Sequence, residues 1–459
     1  MEVGFVPMKK EKILFFFPWR EISGGPVYLT DLANALAGEL QYEVWYVDYA
    51  DGLSADRLDL ERVRLIPYNE PFSTPLDTEP LTLVIPIYCA SHIPALHSDS
   101  RILFVNWHNY CIQALLDSWR LSSKNLQTFL DLVGRTDAVC FVDRSHWLAQ
   151  NQWCGPGSHA AAERYVPLVI GPRRCCGRTE LISQGEVHIA VLGRLCRDKI
   201  YSVLNLLKQL NRMETDRVRH LYVIGDGSEA PLLRQAETAE GVHLHMMGTL
   251  TGDRLHSFLA GHADVLFGMG LSVLEGAAMG LPAVVMPHNV IPFQLDAYVL
   301  LQDCRGYATG WYDTQVVDMG VPTHTAAEIL EAVCRPGAKA RLGRAALQYV
   351  EENHAGNRAA MERALRDTRL TARDFEAFRR GQGKIRLWGI PIARLTTSFD
   401  ESEKTVSFLW VRAFFKSENT AEGKRFLLLG RRQNLIRAKK EGTFFRIYIG
   451  KIQIPFLKL

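Results

Sequence analysis

The segment Phe267-Gly-Met-Gly-Leu-Ser-Val-Leu-Glu-Gly-Ala-Ala-Met-Gly-Leu-Pro282 lies between two apolar runs, Ala263–Phe267 and Pro282–Met286. That order reads as strand, glycine turn, short helix, glycine, strand. Glycines at 268 and 270 leave backbone N–H groups uncovered where the helix begins. The first N–H groups of a helix have no intrahelical partner, and the dipole is positive there, so the position attracts an anion. Glu275 falls about one turn further in, where a carboxylate can accept hydrogen bonds from sugar hydroxyls. An anion cradle beside a diol-binding carboxylate suits a nucleotide-sugar ligand. Ser272 is a further donor to the anion, the N-cap of the helix, or both. Gly280 and Pro282 read as its C-cap and stop.

The rest of the chain supports a parallel α/β architecture. Residues 1–170 alternate apolar runs with helical patterns. Strands are expected at Ile13–Phe17, Glu43–Asp48, Leu81–Ile87, Arg101–Val105 and Ala138–Val142. Ser23-Gly-Gly-Pro26 reads as a turn before a helix at Val27–Leu40. A connector begins at Tyr165–Pro172, and Arg173–Arg178 reads as loop. A second series follows, with strands at Val187–Leu192, His220–Ile224, Val242–Met246, Asp264–Phe267 and Ala283–Met286. Helices at Tyr201–Asn211, Ala230–Glu240, Asp253–Ala260 and Val273–Met279 separate them, and Ala326–Phe378 is helical in pattern. The expected division is a first α/β domain over 1–170, a second over 171–360, a helical crossover and linker over 361–383, and a tail over 384–459. Both domains are expected to be Rossmann-like and doubly wound.

The tail differs in character. Gly389, Trp410, Gly430 and Gly450 recur at spacings of 21, 20 and 20. Each marks an apolar strand, a turn and another strand with basic residues interleaved. Four degenerate β-hairpin repeats are expected, each too small to bury its own face. The tail holds 16 Lys+Arg and 6 Asp+Glu, a net of +10, whereas the remainder, 37 against 44, is −7. A basic extension on an acidic body points to an anionic partner, and a membrane surface fits better than nucleic acid because no nucleic-acid recognition motif accompanies the charge. No apolar run approaches the roughly 20 residues that span a bilayer. The 9 cysteines show no zinc-like CxxC pairing, and Cys175-Cys176 stand alone. A reducing cytoplasm with no disulfide framework and no bound metal is expected.

The string Val191-Leu-Gly-Arg194 with Lys199, then Val223-Ile-Gly-Asp-Gly227, then Gly248-Thr-Leu, then the 267–282 segment resembles the donor domain of GT-B retaining glycosyltransferases, closest to the family 4 type. The resemblance covers roughly 1–375 and is strongest over 187–287. Short basic repeats like those of the tail are similar to extensions on some bacterial surface-polysaccharide glycosyltransferases. The resemblance implies that Arg194 and Lys199 hold the diphosphate of the donor and stabilise the departing charge. Gly225, Gly270, Leu271 and Ser272 belong to the same phosphate site, and Glu275 to the ribose. The family carries a glutamate pair spaced E-x7-E. Glu275 matches the second member, and Phe267 stands where the first would be.

On the acceptor side, Gly24 and Gly25 allow close approach of a ligand to the backbone, and His108, just after a strand, is a candidate to orient the acceptor or the donor sugar. Met247–Leu250 fall where a base pocket would be. Glu70 and Asp77 give no geometry, and no carboxylate pair, triad or metal motif stands out. The implied activity is transfer of a sugar from a nucleotide diphosphate sugar to a lipid-linked or lipopolysaccharide/polysaccharide acceptor, with retention. The implied location is cytoplasmic, peripheral to the inner face of the cell membrane. A sugar-nucleotide epimerase of the same architecture and a non-catalytic nucleotide-sugar-binding module are the alternatives.

Overall fold

The computed structural model describes residues 10–20, 24–68, 78–119, 121–155, 159–171, 180–315 and 320–379 with their side chains. Over 384–457 it describes the backbone of strands. Ser23, Glu70, Asp77, Pro172 to Arg178 with Cys175-Cys176, and the repeat markers Gly389, Trp410, Gly430 and Gly450 lie outside the described residues. The chain forms two compact units. The first comprises Met1–Val139, Gln150–Ala162 and Ala364–Leu459, the second Cys140–Ala149 and Glu163–Arg363.

The first sheet contains β1 (Glu11–Phe16), β2 (Tyr42–Asp48), β3 (Val63–Pro67), β4 (Thr82–Pro86), β5 (Arg101–Asn106) and β6 (Val139–Phe141), in the order β3-β2-β1-β4-β5-β6. The pairings of β1 with β2 and β4, of β2 with β3 and of β4 with β5 are parallel. Central strands of such a sheet are covered on both faces and so read as unbroken apolar runs; Ile13, Leu14, Phe15 and Phe16 are all buried. β3 is the strand that the apolar pattern misses, because Arg64 interrupts it at the sheet edge. Helices α1 (Gly24–Ala37), α2 (Cys111–Trp119), α3 (Ser123–Arg135) and α4 (Arg144–Asn151) complete the series. α1 starts at Gly24, so Gly24-Gly25-Pro26 form its first turn and not a preceding turn. Proline early in a helix costs nothing, since its missing N–H is one that has no partner there. The buried face of α1 is Tyr28, Leu29, Leu32, Ala33 and Leu36, the spacing of a single helical stripe.

The second sheet contains β7 (Glu186–Leu192), β8 (Val218–Ile224), β9 (Val242–Gly248), β10 (Val265–Gly268), β11 (Ala283–Val285) and, beyond the short β12 (Pro287–His288), β13 (Val299–Leu300). Its order is β13-β11-β10-β7-β8-β9, parallel except for the antiparallel edge strand β13. β14 (Trp311–Tyr312) pairs with β12. The helices are α5 (Ile200–Arg212), α6 (Ala230–Arg234), α7 (Gly252–His262) and α8 (Leu271–Ala278), followed by α9 (Ala326–Cys334), α10 (Ala338–Asn353), α11 (Arg358–Asp367) and α12 (Ala372–Arg379). α6 ends well before Glu240. The stretch after Arg234 is too polar to offer a stripe to bury.

At the start of β10, Asp264 is fully buried and accepts from Lys339 of α10 at 2.8 Å and from the N–H groups of Ile182 and His188. Lys339 also donates to the carbonyls of Glu180 and Ala263. This buried ion pair has its donors and acceptors satisfied, the condition under which a buried charge is tolerated. In the first unit, the returning chain is held by Thr368, whose hydroxyl donates to the Ile102 carbonyl at 2.6 Å. Phe375 packs against Phe104 and Trp119.

The extension forms β15 (Lys384–Leu387), β16 (Ile390–Thr397), β17 (Lys404–Phe408), β18 (Phe414–Thr420), β19 (Gly423–Leu429), β20 (Ile436–Glu441), β21 (Phe444–Ile449) and β22 (Ile452–Leu457). β15 to β19 make one antiparallel meander and β20 to β22 another. β15/β16, β17/β18 and β21/β22 are hairpins closing across the positions of Gly389, Trp410 and Gly450.

Candidate functional site

In an open parallel sheet, a ligand crevice forms beyond the carboxyl ends of the two central strands whose connections leave in opposite directions. In the second unit those strands are β7 and β10. β7 leads into Gly193, Arg194 and Lys199, and β10 leads into Met269, Gly270 and α8. Two sequence motifs some eighty residues apart are thereby neighbours. Gly193 shows how close they come: a Cβ placed there would lie 3.8 Å from the Lys199 side chain and 3.8 Å from Ser272 Oγ. Bare backbone, a lysine and a serine thus surround one point. Lys199 immediately precedes α5, and its N–H donates to the Cys196 carbonyl at 2.9 Å.

The glycines of this edge have different tasks. A Cβ on Gly225 would sit 2.0 Å from the Gly193 carbonyl, and one on Gly227 would sit 2.4 Å from that of Leu195. The N–H of Gly225 is spent on the Gly248 carbonyl at 2.8 Å. Gly225 therefore shapes the floor beneath Gly193. Gly270 is the N-cap of α8 at φ 61° and ψ −140°, a conformation that glycine adopts readily and other residues do not. Its N–H donates to the Thr309 carbonyl at 2.8 Å. The N–H of Gly270 is thus not available at this helix start, where Leu271 and Ser272 are the first residues of α8. Ser272 lies within α8, so it is not the N-cap.

Glu275 is one turn along α8 and half-buried, and its Oε1 lies 2.5 Å from His256 Nε2 of α7. His256 escapes sequence reading, because nothing local relates positions 256 and 275. Phe267 is fully buried and packs edge-on against Tyr298 at 5.4 Å between ring centroids. The position where the resembled family carries a glutamate is here part of the core. Met247 and Leu250, at the end of β9, are half-buried.

A second group also went unread in the sequence. Asp143, just before α4, is fully buried and accepts from Ser145 Oγ at 2.8 Å, His146 N at 3.2 Å and Thr309 N at 3.4 Å. His146 Nδ1 lies 3.0 Å from the same carboxylate. Burial pushes the Asp143 carboxyl up to about 6, and the Ser145 and backbone hydrogen bonds oppose that rise. Because the Thr309 carbonyl holds Gly270, this carboxylate fixes the helix start through one intervening residue. A cavity of about 410 Å³ lined by Val187, Arg217, Arg219, Leu330 and Arg335 lies at the opposite ends of β7 and β8, away from these loops.

In the first unit, Gly25 and His108 sit at the carboxyl edge of their sheet. A Cβ on Gly25 would come within 2.8 Å of the Trp107 ring. Trp107 in turn packs against Phe17, Tyr28 and Tyr88 at 5.3, 6.3 and 6.0 Å. Gly24 is exposed, with nothing near its missing Cβ. His108 Nδ1 accepts from the Tyr110 N–H at 3.1 Å, which places the imidazole proton on Nε2.

No protein-family model matches the chain, and no curated protein matches it. Among solved structures, the chain is similar to Anabaena HepE in complex with UDP and glucose, at 14% identity and a TM-score of 0.46 over 77% of this chain and 98% of that one. It is also similar to WaaG, a glycosyltransferase involved in lipopolysaccharide biosynthesis, at 11% identity and 0.41 over 77% and 98%. The lipopolysaccharide outer core galactosyltransferase WaaB follows at 11% and 0.42 over 80% and 98%.

Proposed function

We propose that the chain is a GT-B glycosyltransferase that moves a sugar from a nucleoside diphosphate sugar to a lipid-linked or lipopolysaccharide/polysaccharide acceptor, with retention. The observation that carries this reading is the meeting of the Arg194–Lys199 loop with the bare start of α8 around Gly193. Two cations and two helix N–H groups suit a diphosphate, whose charge grows as the sugar leaves. Glu275, one turn further along, accepts from ribose hydroxyls. In the transfer the bond from the anomeric carbon to the distal phosphate oxygen breaks. The acceptor oxygen bonds to that carbon on the same face, and its proton passes to the leaving diphosphate. The protein's part is positioning and charge stabilisation, with His108 orienting a sugar hydroxyl.

Among the described residues, no helix is long and apolar enough to cross a membrane. The net +10 of residues 384–459 suits an anionic lipid surface at the inner face of a membrane, at on the order of 1 kcal/mol per basic residue near it. Deleting 384–459 is expected to abolish flotation with anionic vesicles, and unchanged flotation would refute the membrane role. For the site, thermal shift with nucleoside mono- and diphosphates is the test. One diphosphate at about 100 times its Kd is expected to stabilise the protein by roughly 2.7 kcal/mol, well above its monophosphate. Equal shifts for both would overturn the diphosphate reading.

A further inference from the structure

The register of the second sheet stacks imidazoles in a row that no local motif announces. Residues two apart on a strand share a face. Glu186 and His188 on β7, His220 and Tyr222 on β8, and His243 and His245 on β9 therefore lie side by side, with His188 opposite His220 and His220 opposite His243. The rings of His188 and His220 stack at 4.8 Å and 9°, and those of Tyr222 and His245 at 4.6 Å and 16°.

We propose that Glu186, His188 and His220 form a binding site for a divalent transition metal, with zinc the best fit. Glu186 Oε2 lies 3.3 Å from His188 Nε2 and 3.9 Å from His220 Nε2, and the ligand atoms of the three all fall within 4.8 Å of one another. Ligands at about 2.0–2.2 Å around a tetrahedral zinc stand roughly 3.4 Å apart, so side-chain rotations of about an ångström complete the set. His188 is 7% exposed, and its Nε2 is buried without a hydrogen bond although it faces the cluster. A buried ring nitrogen in that position costs free energy unless a ligand takes its lone pair. The outer nitrogens are already oriented as ligating histidines require. His188 Nδ1 lies 3.2 Å from the Tyr222 hydroxyl, and His220 Nδ1 lies 3.0 Å from His245 Nε2.

Nitrogen donors select against magnesium and calcium, which prefer oxygen cages. Three protein ligands leave the fourth position to water or to His243 or His245. The site lies about 17 Å along β7 from Gly193, at roughly 3.3 Å per residue. It is therefore separate from the diphosphate loops, and its effect is to tie β7 to β8. This departs from the expectation of no bound metal, which rested on cysteine spacing and on the lack of a local metal motif.

The test uses the full chain without a histidine tag, stripped with a chelator. Zinc calorimetry is expected to give about one equivalent, and cobalt is expected to give the intense visible bands of a four-coordinate ion. Glu186→Gln and His220→Gln are each expected to weaken zinc roughly 100-fold or more, and Tyr222→Phe about 10-fold, as loss of an outer-shell partner does. His97→Gln, in the first unit, is expected to bind as the parent does. If His220→Gln fails to fold, the partly exposed Glu186→Gln carries the test. A six-coordinate cobalt spectrum, or undiminished affinity in Glu186→Gln, would overturn the proposal.

Discussion

The two sheets share the strand order 3-2-1-4-5 at their cores and carry different chemistry at the corresponding edges. In the first unit the carboxyl edge is aromatic: Phe17, Tyr28, Tyr88 and Trp107 pack ring against ring. In the second it is glycine and cation, with Gly193, Arg194, Lys199 and the open start of α8. Topology supplies a crevice in both, and the residues decide its occupant. At the first edge Phe17 and Tyr28 are buried and the packed rings fill the space beside His108, whereas under the proposed function the N–H groups and cations of the second edge face a phosphate. The units do share one device. Each has a buried aspartate at a strand end that gathers neighbouring donors. Asp48 accepts from the N–H groups of Trp19, Tyr49 and Ser54, at 2.6, 2.7 and 3.1 Å, and Asp143 does the same for the loop holding Gly270.

The largest expected effect separates stability from chemistry inside the second unit. Lys339→Ala strands the buried Asp264 charge at the amino edge of the sheet. It is expected to cost about 3–5 kcal/mol of stability, read by denaturant unfolding, while the folded fraction keeps its affinity for nucleoside diphosphate. A matching loss of affinity would show that the two edges are not independent. At the opposite edge, Arg194→Ala is expected to lower turnover by about 10²–10³-fold, or roughly 2.7–4 kcal/mol, with unfolding unchanged within about 0.5 kcal/mol. Equal turnover in Arg194→Ala and the parent would remove the cation from the leaving-group role.

How far these regions were legible depends on the range of the contacts. The βα rhythm was readable because central parallel strands are unbroken apolar runs. The glycine loops at the carboxyl edge of the second sheet were readable because their glycines sit within a few residues of one another. The pairings of Glu275 with His256, Asp143 with Thr309 and Asp264 with Lys339 join distant segments, and no local pattern encodes them. The histidine row needs the register of three strands at once. Ser272 was ambiguous in the sequence because a serine at a helix start serves equally as a donor to an anion and as an N-cap. The occupied N–H of Gly270 was also hidden, since its acceptor, Thr309, lies far along the chain.

The Asp143 carboxyl offers a comparison by pH. Its folded pKa, raised from 3.8 to about 6, means that the folded state binds the proton more tightly than the unfolded chain does. The group therefore adds stability at low pH, and that contribution is lost as pH rises from about 4 to about 6, on the order of 3 kcal/mol in all. Asp143→Asn removes the titration, so the difference in unfolding free energy between parent and variant is expected to change across that window and be flat above it. Across that window the balance is expected to move toward the variant by on the order of 3 kcal/mol, because the neutral amide escapes the cost of ionising a buried carboxyl. A pH-independent difference would show that Asp143 does not titrate there.

The smallest effect expected concerns the aromatic edge. Gly25→Ala places a methyl 2.8 Å from the Trp107 ring, and a ring packed among Phe17, Tyr28 and Tyr88 has little room to yield. Such overpacking costs about 1–3 kcal/mol. Gly25 lies in the first turn of α1, where alanine regains up to about 1 kcal/mol of helix propensity. The net loss is therefore on the order of 1 kcal/mol, small enough that the protein remains folded and the displaced ring is read through function. Diphosphate affinity is expected to match the parent, because the substituted residue belongs to the aromatic edge, while the KM for the acceptor rises. Weakened diphosphate affinity with an unchanged acceptor KM would reverse the assignment of the two edges.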